Sequence, residues 1–404
     1  MKQRKAECIL VIVFLLAILS GCVKKQEKNQ SAKTIEEYSQ SNYAQNTTYP
    51  KESKPESAAP NEDAQSLSEL SRDSVYQLIC EALDGYEETI QLVGISKDTA
   101  TEIYEQVVYE HPEFFWADSG YSWTASSGVD SIQVEIKPNI DESIDIIRQK
   151  KLQLDEVISK ILASVPTGSD YEKALFVHDY LVYNTEYDSD SYAMIQASFN
   201  QNLFCDASTA YGCLVNHLAV CEGYAKAFHL IMNHLGIEAG CISGTTSGGS
   251  HVWNYLSLDG DYYYIDVTWD DPIASEDNEM SKNVVSHEYF CIPTDSILID
   301  HDIGSDNRFV PTCTAVTYEF FRYNDLFLEN YSLGAIEDLL RNKSRENCIQ
   351  IEFSTEDELQ KALTGLFDNG EIFEIPFVRK NFSTVWRSVG NSGRTLTISL
   401  GDGS

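Results

Sequence analysis

Cys221, His251 and Asp266 are three residue types that together can move an acyl group from one partner to another. A thiolate can attack a carbonyl carbon, an imidazole can take and return the proton, and a carboxylate can fix the imidazole tautomer. Taken alone each has a simpler interpretation, since a cysteine among apolar neighbours is usually just buried. Together and in this order they predict a thiol-dependent catalytic centre.

Cys221 stands at the predicted start of a helix. Apolar residues follow it at helical spacing until Gly236, which is typical of a helix end. These residues are Tyr224, Phe228, Ile231, Met232 and Leu235. The positive end of the helix dipole favours a thiolate at Cys221, and the free N–H groups of a first helical turn can bind an oxyanion.

His251 and Asp266 lie on two predicted strands joined by Asp259-Gly260, a dipeptide typical of a two-residue hairpin turn. That turn sets a register in which Asp266 lies opposite Trp253. His251 and Asp266 are then diagonal neighbours on one face, within reach of a side-chain hydrogen bond. A one-residue bulge would place them on opposite faces, so the prediction depends on the register.

The residues around this predicted triad resemble the bacterial transglutaminase-like superfamily, whose core is similar to that of papain-type thiol enzymes. The resemblance lies in AVCEGYAKAF at 219–228 and HVWNYLSLDGDYYYIDVTWDDP at 251–272. Supporting segments are VHDYLVYNTEYD at 177–188, SHEYFCI at 286–292 and the later Asp300-His301.

The resemblance implies an α+β fold in which the nucleophile helix packs on an antiparallel sheet. It implies Cys221 as the nucleophile, His251 as general base and acid, and Asp266 as the residue that orients the imidazole. No cofactor and no metal ion are expected for this chemistry. HPEFFWADSGYS at 111–122 resembles a region found beside this domain in exported bacterial members.

Four further residues are candidates for binding roles. Tyr183 and Tyr211 are candidate oxyanion donors, although a tyrosine is more often a packing residue with a polar tip. Trp253 and Glu222 are candidates for the substrate rim, with a place in the core as the alternative for Trp253.

The remaining histidines are interpreted as structural or supporting residues. His229 and His234 are five apart and lack the acidic partner of a metal-binding helix motif. His178 lies on an amphipathic helix, whereas His287 and His301 fall in the closing segment of the resemblance.

The first residues are typical of an export signal. A basic start precedes an apolar run from Cys8 to Leu19, and Leu19-Ser20-Gly21-Cys22 resembles a lipoprotein cleavage site. We therefore expect a signal peptide at 1–21, lipidation of Cys22 and an extracytoplasmic location on the cell membrane. A plain secretory signal and an uncleaved anchor are the alternatives.

The rest of the chain divides into four predicted regions. Residues 22–70 are rich in Ser, Lys, Glu, Gln, Asn and Pro and predict a disordered tether. Residues 71–165 predict an N-terminal α/β region, 166–302 the catalytic domain, and 303–404 a small C-terminal α+β region. Within the catalytic domain, residues 243–250 (SGTTSGGS) are typical of a flexible polar loop.

Charge and cysteine content exclude several classes of protein. The net charge of −34 repels phosphates, so nucleic acid is not an expected partner. The ten cysteines contain no CxxC pair, which argues against a zinc ribbon or a thioredoxin-like site. The expected partners are a protein or peptide substrate, cell-wall peptide included, and the membrane through the N-terminal lipid.

Two functional hypotheses follow. The first is a cell-surface thiol enzyme acting at amide bonds through a cysteine thioester, with hydrolysis favoured over Gln-Lys transamidation because nothing marks an amine site. The alternative is an inactive scaffold or binding lipoprotein with the same fold. Reactivity of Cys221 distinguishes them, since only the enzyme needs an activated thiol.

Overall fold

The computed structural model describes residues 71–117, 120–127, 132–138, 142–197, 205–271, 285–305, 307–344 and 347–401. The predicted signal peptide, Cys22 and the tether lie outside these residues. None of the helices found in these ranges is both long and apolar enough to cross a bilayer.

The N-terminal region is a pair of helices beside a three-stranded antiparallel sheet of order β1-β3-β2. Ser71 and Ser96 cap the two helices by accepting hydrogen bonds from Ser74 N and Thr99 N, which satisfies donors that a helix start leaves free. The elements are α1 (Arg72–Asp84), β1 (Ile90–Val93), α2 (Lys97–Glu110), β2 (Tyr121–Ser127) and β3 (Ile132–Pro138).

Two long helices and several short elements lead into the catalytic region. Ser169 and Glu172 form a reciprocal capping box that starts the second of these helices. The elements are α3 (Ile144–Ser164), α4 (Asp170–Asn184), β4 (Glu186–Tyr187), α5 (Ser189–Ala197), β5 (Leu218–Ala219) and α6 (Cys221–His234).

A five-stranded, fully antiparallel sheet of order β10-β6-β7-β8-β9 lies against α6. Leu258 pairs with Asp261 and Asn254 with Ile265, which is the register that the Asp259-Gly260 turn predicts. The elements are β6 (Ala239–Thr246), β7 (Gly249–Leu258), β8 (Asp261–Ile265), β9 (Phe290–Ile292), α7 (Thr294–Ile297) and β10 (His301–Ile303).

The prediction of a flexible loop at 243–250 is wrong. Residues 243–246 belong to β6 and pair with β7, and residues 244–246 also pair with β10. A Cβ at Gly244 would lie 2.1 Å from the carbonyl oxygen of Asp302 and 2.7 Å from the Trp253 ring. The glycine therefore permits close strand approach rather than flexibility.

The C-terminal region is α+β, as predicted, with a four-stranded sheet of order β11-β12-β14-β13. Its apolar face, which includes Ile351, Leu396 and Ile398, packs with the helices of this region into a separate core. The elements are α8 (Phe320–Tyr323), β11 (Phe327–Leu328), α9 (Leu333–Asn342), β12 (Cys348–Phe353), α10 (Glu356–Leu363), α11 (Pro376–Asn381), β13 (Thr384–Val389) and β14 (Thr395–Gly401).

One continuous core joins the N-terminal and catalytic regions. It runs from Val75 on α1 through Leu154 on α3 and Phe228 on α6 to Cys291 on β9. A smaller core that includes Trp253 and Tyr264 adds to the sheet of the catalytic region. The site is therefore built on elements that are packed together along most of their length.

Candidate functional site

The start of α6 places Cys221 as the first helical residue, only 7% exposed. Val220 precedes the helix, and its N–H donates to the carbonyl of Ala207 at 2.9 Å. A Cβ at Gly223 would lie 2.3 Å from that same carbonyl oxygen and 2.9 Å from the Ala219 side chain. Gly223 therefore allows the first turn of α6 to pack directly against the loop that contains Ala207.

His251 lies between Cys221 and Asp266. Its Nε2 donates to Asp266 Oδ2 at 2.6 Å, and the Cys221 thiol is within hydrogen-bonding reach of the ring. Burial opposes protonation of the imidazole, but the Asp266 carboxylate and the Cys221 sulfur outweigh it and raise the pKa of His251 to about 10. The arrangement favours an imidazolium beside the sulfur.

Asp266 is fully buried and its carboxylate has four hydrogen-bond donors. Oδ1 accepts the N–H groups of Thr268 at 3.0 Å and Trp269 at 3.1 Å. Oδ2 accepts His251 and, at 3.1 Å, Nε2 of His301. Burial raises the carboxyl pKa, but the two histidines outweigh that effect and hold it well below its usual range.

His301 is interpreted from the sequence as a structural or supporting residue, and the structure shows that it supports the Asp266 carboxylate. It is 1% exposed, and its Nδ1 donates to Asp300 Oδ1 at 2.5 Å. The Tyr289 hydroxyl donates to the other Asp300 oxygen at 2.6 Å. Burial opposes the charge on His301, but hydrogen bonds to Asp266 and Asp300 raise its pKa. A chain of buried polar groups therefore backs the Asp266 carboxylate.

A second buried network holds the segment after Asp266. Asp270 is fully buried, accepts His178 Nε2 at 3.1 Å and accepts the Tyr289 N–H at 3.1 Å. The other nitrogen of His178 lies 3.0 Å from Asp179, which also binds His287 at 2.9 Å. The Asp270 carboxylate therefore connects α4 to the residue that precedes β9.

Two groups of side chains have the composition of a metal site: His178, Asp179 and His287, and His251, Asp266 and His301. In each group the potential ligand atoms lie within 4.8 Å of one another. In both, the same atoms also serve one another as hydrogen-bond donors and acceptors. The second group overlaps the triad, so a divalent cation there would compete with its hydrogen bonds.

A cleft of about 620 Å³ opens beside His251. One side is formed by the catalytic region, including Tyr187, Tyr192 and Trp269. The other side is formed by strands β12, β13 and β14 of the C-terminal region. The volume is within the usual range of ligand-binding clefts.

The two tyrosines predicted as oxyanion donors do not face this cleft. Tyr183 is 56% exposed on α4, and the Tyr211 hydroxyl donates to Gln153 at 2.8 Å while its ring stacks on Phe115. Tyr187 lines the cleft instead. Burial, followed by the nearby Cys221 sulfur, raises the pKa of Tyr187, so the hydroxyl stays a neutral donor. Tyr183 and Tyr211 are therefore turned away from the cleft, and Tyr187 is the tyrosine that lies beside both the cleft and the Cys221 sulfur.

The two predicted rim residues are also placed away from the cleft surface. Trp253 is 1% exposed and belongs to a core, so the alternative interpretation holds for it. Glu222 forms an ion pair with Lys226 at 2.7 Å, one turn along α6. Trp269 and Tyr187 occupy the rim positions. The signal for Tyr187 was its place in YNTEYD, just after a helix, where loop residues often carry function.

The family match covers the part of the chain that contains Cys221, His251 and Asp266. Residues 160–267 match the Transglutaminase-like superfamily. The human Kyphoscoliosis peptidase is 24% identical over 203 residues, which cover 46% of this chain and 28% of the human protein. A solved structure described as a TGase covers 39% of this chain and 47% of its own, at 15% identity and a TM-score of 0.28. The chain spans less than half the length of each.

The chain therefore contains a transglutaminase-like domain. Its core is the α+β arrangement expected from the sequence, with helix α6 against an antiparallel sheet. The family match supports a function of the thiol-enzyme kind.

Proposed function

We propose that this protein is a thiol enzyme that transfers the acyl group of an amide through a thioester on Cys221. The observation that carries the proposal is the position of His251, whose Nε2 donates to Asp266 Oδ2 at 2.6 Å while the Cys221 thiol is within hydrogen-bonding reach of the ring. This order of groups is what nucleophilic catalysis by a thiol requires.

The steps follow from the geometry. The Cys221 sulfur attacks the amide carbonyl carbon, and a tetrahedral oxyanion forms. The Cys221 backbone N–H at the start of α6 and the Tyr187 hydroxyl are the donors suited to stabilise it. The imidazolium of His251 gives its proton to the amine, which leaves as the C–N bond breaks. His251 then takes a proton from the acceptor molecule while the acceptor attacks the thioester carbonyl. The C–S bond breaks, and the Cys221 thiolate is released.

Water is the favoured acceptor. The cleft beside His251 is lined largely by hydroxyl and amide side chains, which hold water well. Transfer to a lysine amine would need a site that desolvates and positions that amine. Hydrolysis of a peptide or amide is therefore preferred over Gln-Lys crosslinking.

Limiting iodoacetamide at pH 6 tests the activated thiol. All eight cysteines of the described residues are free thiols, so mass spectrometry can rank them within one protein. Cys221 should react fastest and lose that lead in His251→Ala, whereas the exposed His234 provides the matched control, His234→Ala. A slow Cys221 in both proteins would contradict the proposal and leave the scaffold hypothesis.

Turnover tests the acceptor. Fluorescent casein should be cleaved by the wild type and not by Cys221→Ala. Incorporation of monodansylcadaverine into casein without cleavage would overturn the preference for water while keeping the thioester.

Anchoring by an N-terminal lipid is the second part of the proposal. It rests on Leu19-Ser20-Gly21-Cys22 and the apolar run before it. Cys22→Ala should move the protein from the membrane fraction of a bacterial host to the soluble extracytoplasmic fraction. Retention of the variant in the membrane fraction would contradict lipidation.

A further inference from the structure

One face of the C-terminal sheet forms the second wall of the cleft. Trp386 pairs with Ser399, and Thr397 pairs with both Ser388 and Gln350, so these side chains share a face. With Thr395 they line the cleft opposite His251, whereas Leu396, Ile398 and Leu400 turn into the core. We call this face the polar wall: Gln350, Trp386, Ser388, Thr395, Thr397 and Ser399.

A buried carboxylate attaches the polar wall to the catalytic region. Glu288, which is 8% exposed, accepts the N–H groups of Asn391 at 2.8 Å and Ser392 at 2.9 Å in the turn between β13 and β14. A Cβ at Gly390 would lie 2.4 Å from the same carboxylate. The turn is fitted closely to Glu288, so the wall has a defined position beside the catalytic histidine.

The polar wall carries hydrogen-bonding groups but no ionised side chain. The Thr395 hydroxyl is buried and has no hydrogen-bond partner among the described residues. Within those residues, Gln350, Ser388 and Thr397 also make no side-chain hydrogen bond. A buried polar group is nearly always satisfied, so the Thr395 hydroxyl in particular is suited to a ligand, and the three more accessible groups can bind the same ligand. The wall offers a ligand residue hydroxyl, amide and indole groups and no counter-ion, whereas Arg387, Asp271 and Glu288 line other parts of the cleft.

The spacing of the wall matches an extended polypeptide. Thr395, Thr397 and Ser399 alternate along β14 and so recur about every 7 Å, as alternate side chains of an extended chain do. The His251 imidazole lies on the opposite side of the cleft, and in the proposed function it acts with Cys221 on a carbonyl, which a peptide supplies. Both features favour a peptide over a saccharide.

We propose that the polar wall is the substrate-binding surface of the enzyme and takes uncharged polar residues of an extended polypeptide beside the amide that Cys221 attacks. This inference rests on the proposed function. It gives the C-terminal region a part in specificity, where the sequence alone left its role open.

Two electrophiles distinguish the contribution of the polar wall from the reactivity of the Cys221 thiol. Iodoacetamide reports the Cys221 thiol alone, whereas an aza-peptide epoxide with Ser, Thr and Gly on both sides of the electrophile also fills the cleft. In the wild type this neutral probe should label Cys221 about tenfold faster than a probe with Asp and Lys at the same positions.

Three variants locate the effect. Thr397→Val and Trp386→Ala should each lower the ratio of the neutral-probe rate to the iodoacetamide rate, by about fivefold to tenfold. Glu288→Gln should lower the same ratio by loosening the turn. Thr384→Val is the matched control on β13, because Thr384 is the first residue of that strand, pairs with Gly401 and does not line the cleft.

The outcomes are distinct. If iodoacetamide labelling of Cys221 does not depend on His251, the proposed function fails before the wall is tested. If it does depend on His251 but Thr397→Val and Trp386→Ala keep the wild-type ratio, the wall proposal is overturned. It is also overturned if millimolar chitotetraose, and not a neutral peptide, protects Cys221 from the neutral probe.

Discussion

His251 and His301 donate to the same oxygen, Oδ2 of Asp266, at 2.6 Å and 3.1 Å. Their rings lie 5.4 Å apart between centroids, and His301 also contacts Asp300. The carboxylate that binds the His251 imidazole is therefore itself held in place by a second histidine. In the proposed enzyme we infer that His301 is a positioning residue, since it reaches the thiol only through Asp266 and His251.

Replacing His301 by glutamine should weaken this support without removing a triad member. A hydrogen bond to a charged group contributes about 1.5–3 kcal/mol, so we expect the Cys221 alkylation rate at pH 6 to fall about tenfold. The pH profile of alkylation should also shift, which a purely structural loss would not cause. Equal profiles for His301→Gln and the exposed-residue variant His234→Gln would contradict the role.

The stability of the protein should depend on pH through His251. Its pKa is raised to about 10 in the folded protein from 6.5, so folding favours the protonated ring. The resulting stabilisation is fully present below about pH 6.5 and is lost as the pH rises towards 10. The difference in urea midpoint between wild type and His251→Gln should shrink over that window, and a constant difference would contradict the ion pair.

Tyr187→Phe should affect turnover more than thiol reactivity. Loss of one oxyanion donor lowers kcat by about 10²–10³, whereas alkylation by iodoacetamide forms no oxyanion. We expect casein cleavage to fall by at least tenfold more than the alkylation rate. Tyr183→Phe is the matched control, because Tyr183 is exposed on α4. If Tyr187→Phe lowers the casein cleavage rate and the alkylation rate by the same factor, Tyr187 acts in packing and not as an oxyanion donor.

Gly223→Ala should displace the first turn of α6. The added Cβ would meet the Ala207 carbonyl oxygen at 2.3 Å, and overpacking of this kind costs about 1–3 kcal/mol. Gly248→Ala is the control, since its nearest contact is Thr246 Oγ1 at 3.6 Å. The melting temperature of Gly223→Ala should be lower than that of Gly248→Ala. Equal melting temperatures would show that the loop containing Ala207 moves to accommodate the added Cβ.

Asp270 and Asp271 are neighbours with opposite expected effects. Asp270→Asn leaves the buried His178 without a full partner and should destabilise by about 3–5 kcal/mol. Burial raises the pKa of Asp271 to about 6, so its ionisation costs stability as the pH rises from about 4 to above 6. Asp271→Asn should therefore stabilise at pH 7, and urea denaturation at pH 4 and pH 7 checks both signs.

The sequence predicts the parts of the site that depend on local pattern. Helical spacing placed Cys221 at the start of α6, and the Asp259-Gly260 turn fixed the register that brings Asp266 to His251. His301 could be named from the resemblance, but its contact with Asp266 spans 35 residues and depends on how β10 pairs with β6. No local pattern encodes that pairing.

Two errors have a common physical origin. Residues 243–250 have the composition of a loop, yet Gly244 lies in a strand because Asp302 and Trp253 leave no space for a side chain. Tyr183 and Tyr211 are candidate oxyanion donors in the sequence, whereas in the structure Tyr183 is exposed on α4 and the Tyr211 hydroxyl donates to Gln153. Both outcomes depend on tertiary contacts that composition does not report.

The core that runs from Val75 to Cys291 determines the smallest fragment that can fold. A fragment starting at residue 160, where the family match begins, would strip Leu154 and the N-terminal helices from that core and leave apolar surface in water. We expect the region before the match and the triad to melt in a single cooperative transition. A unit that is transferred to another protein by engineering or gene fusion therefore has to be longer than residues 160–267, which the family match covers.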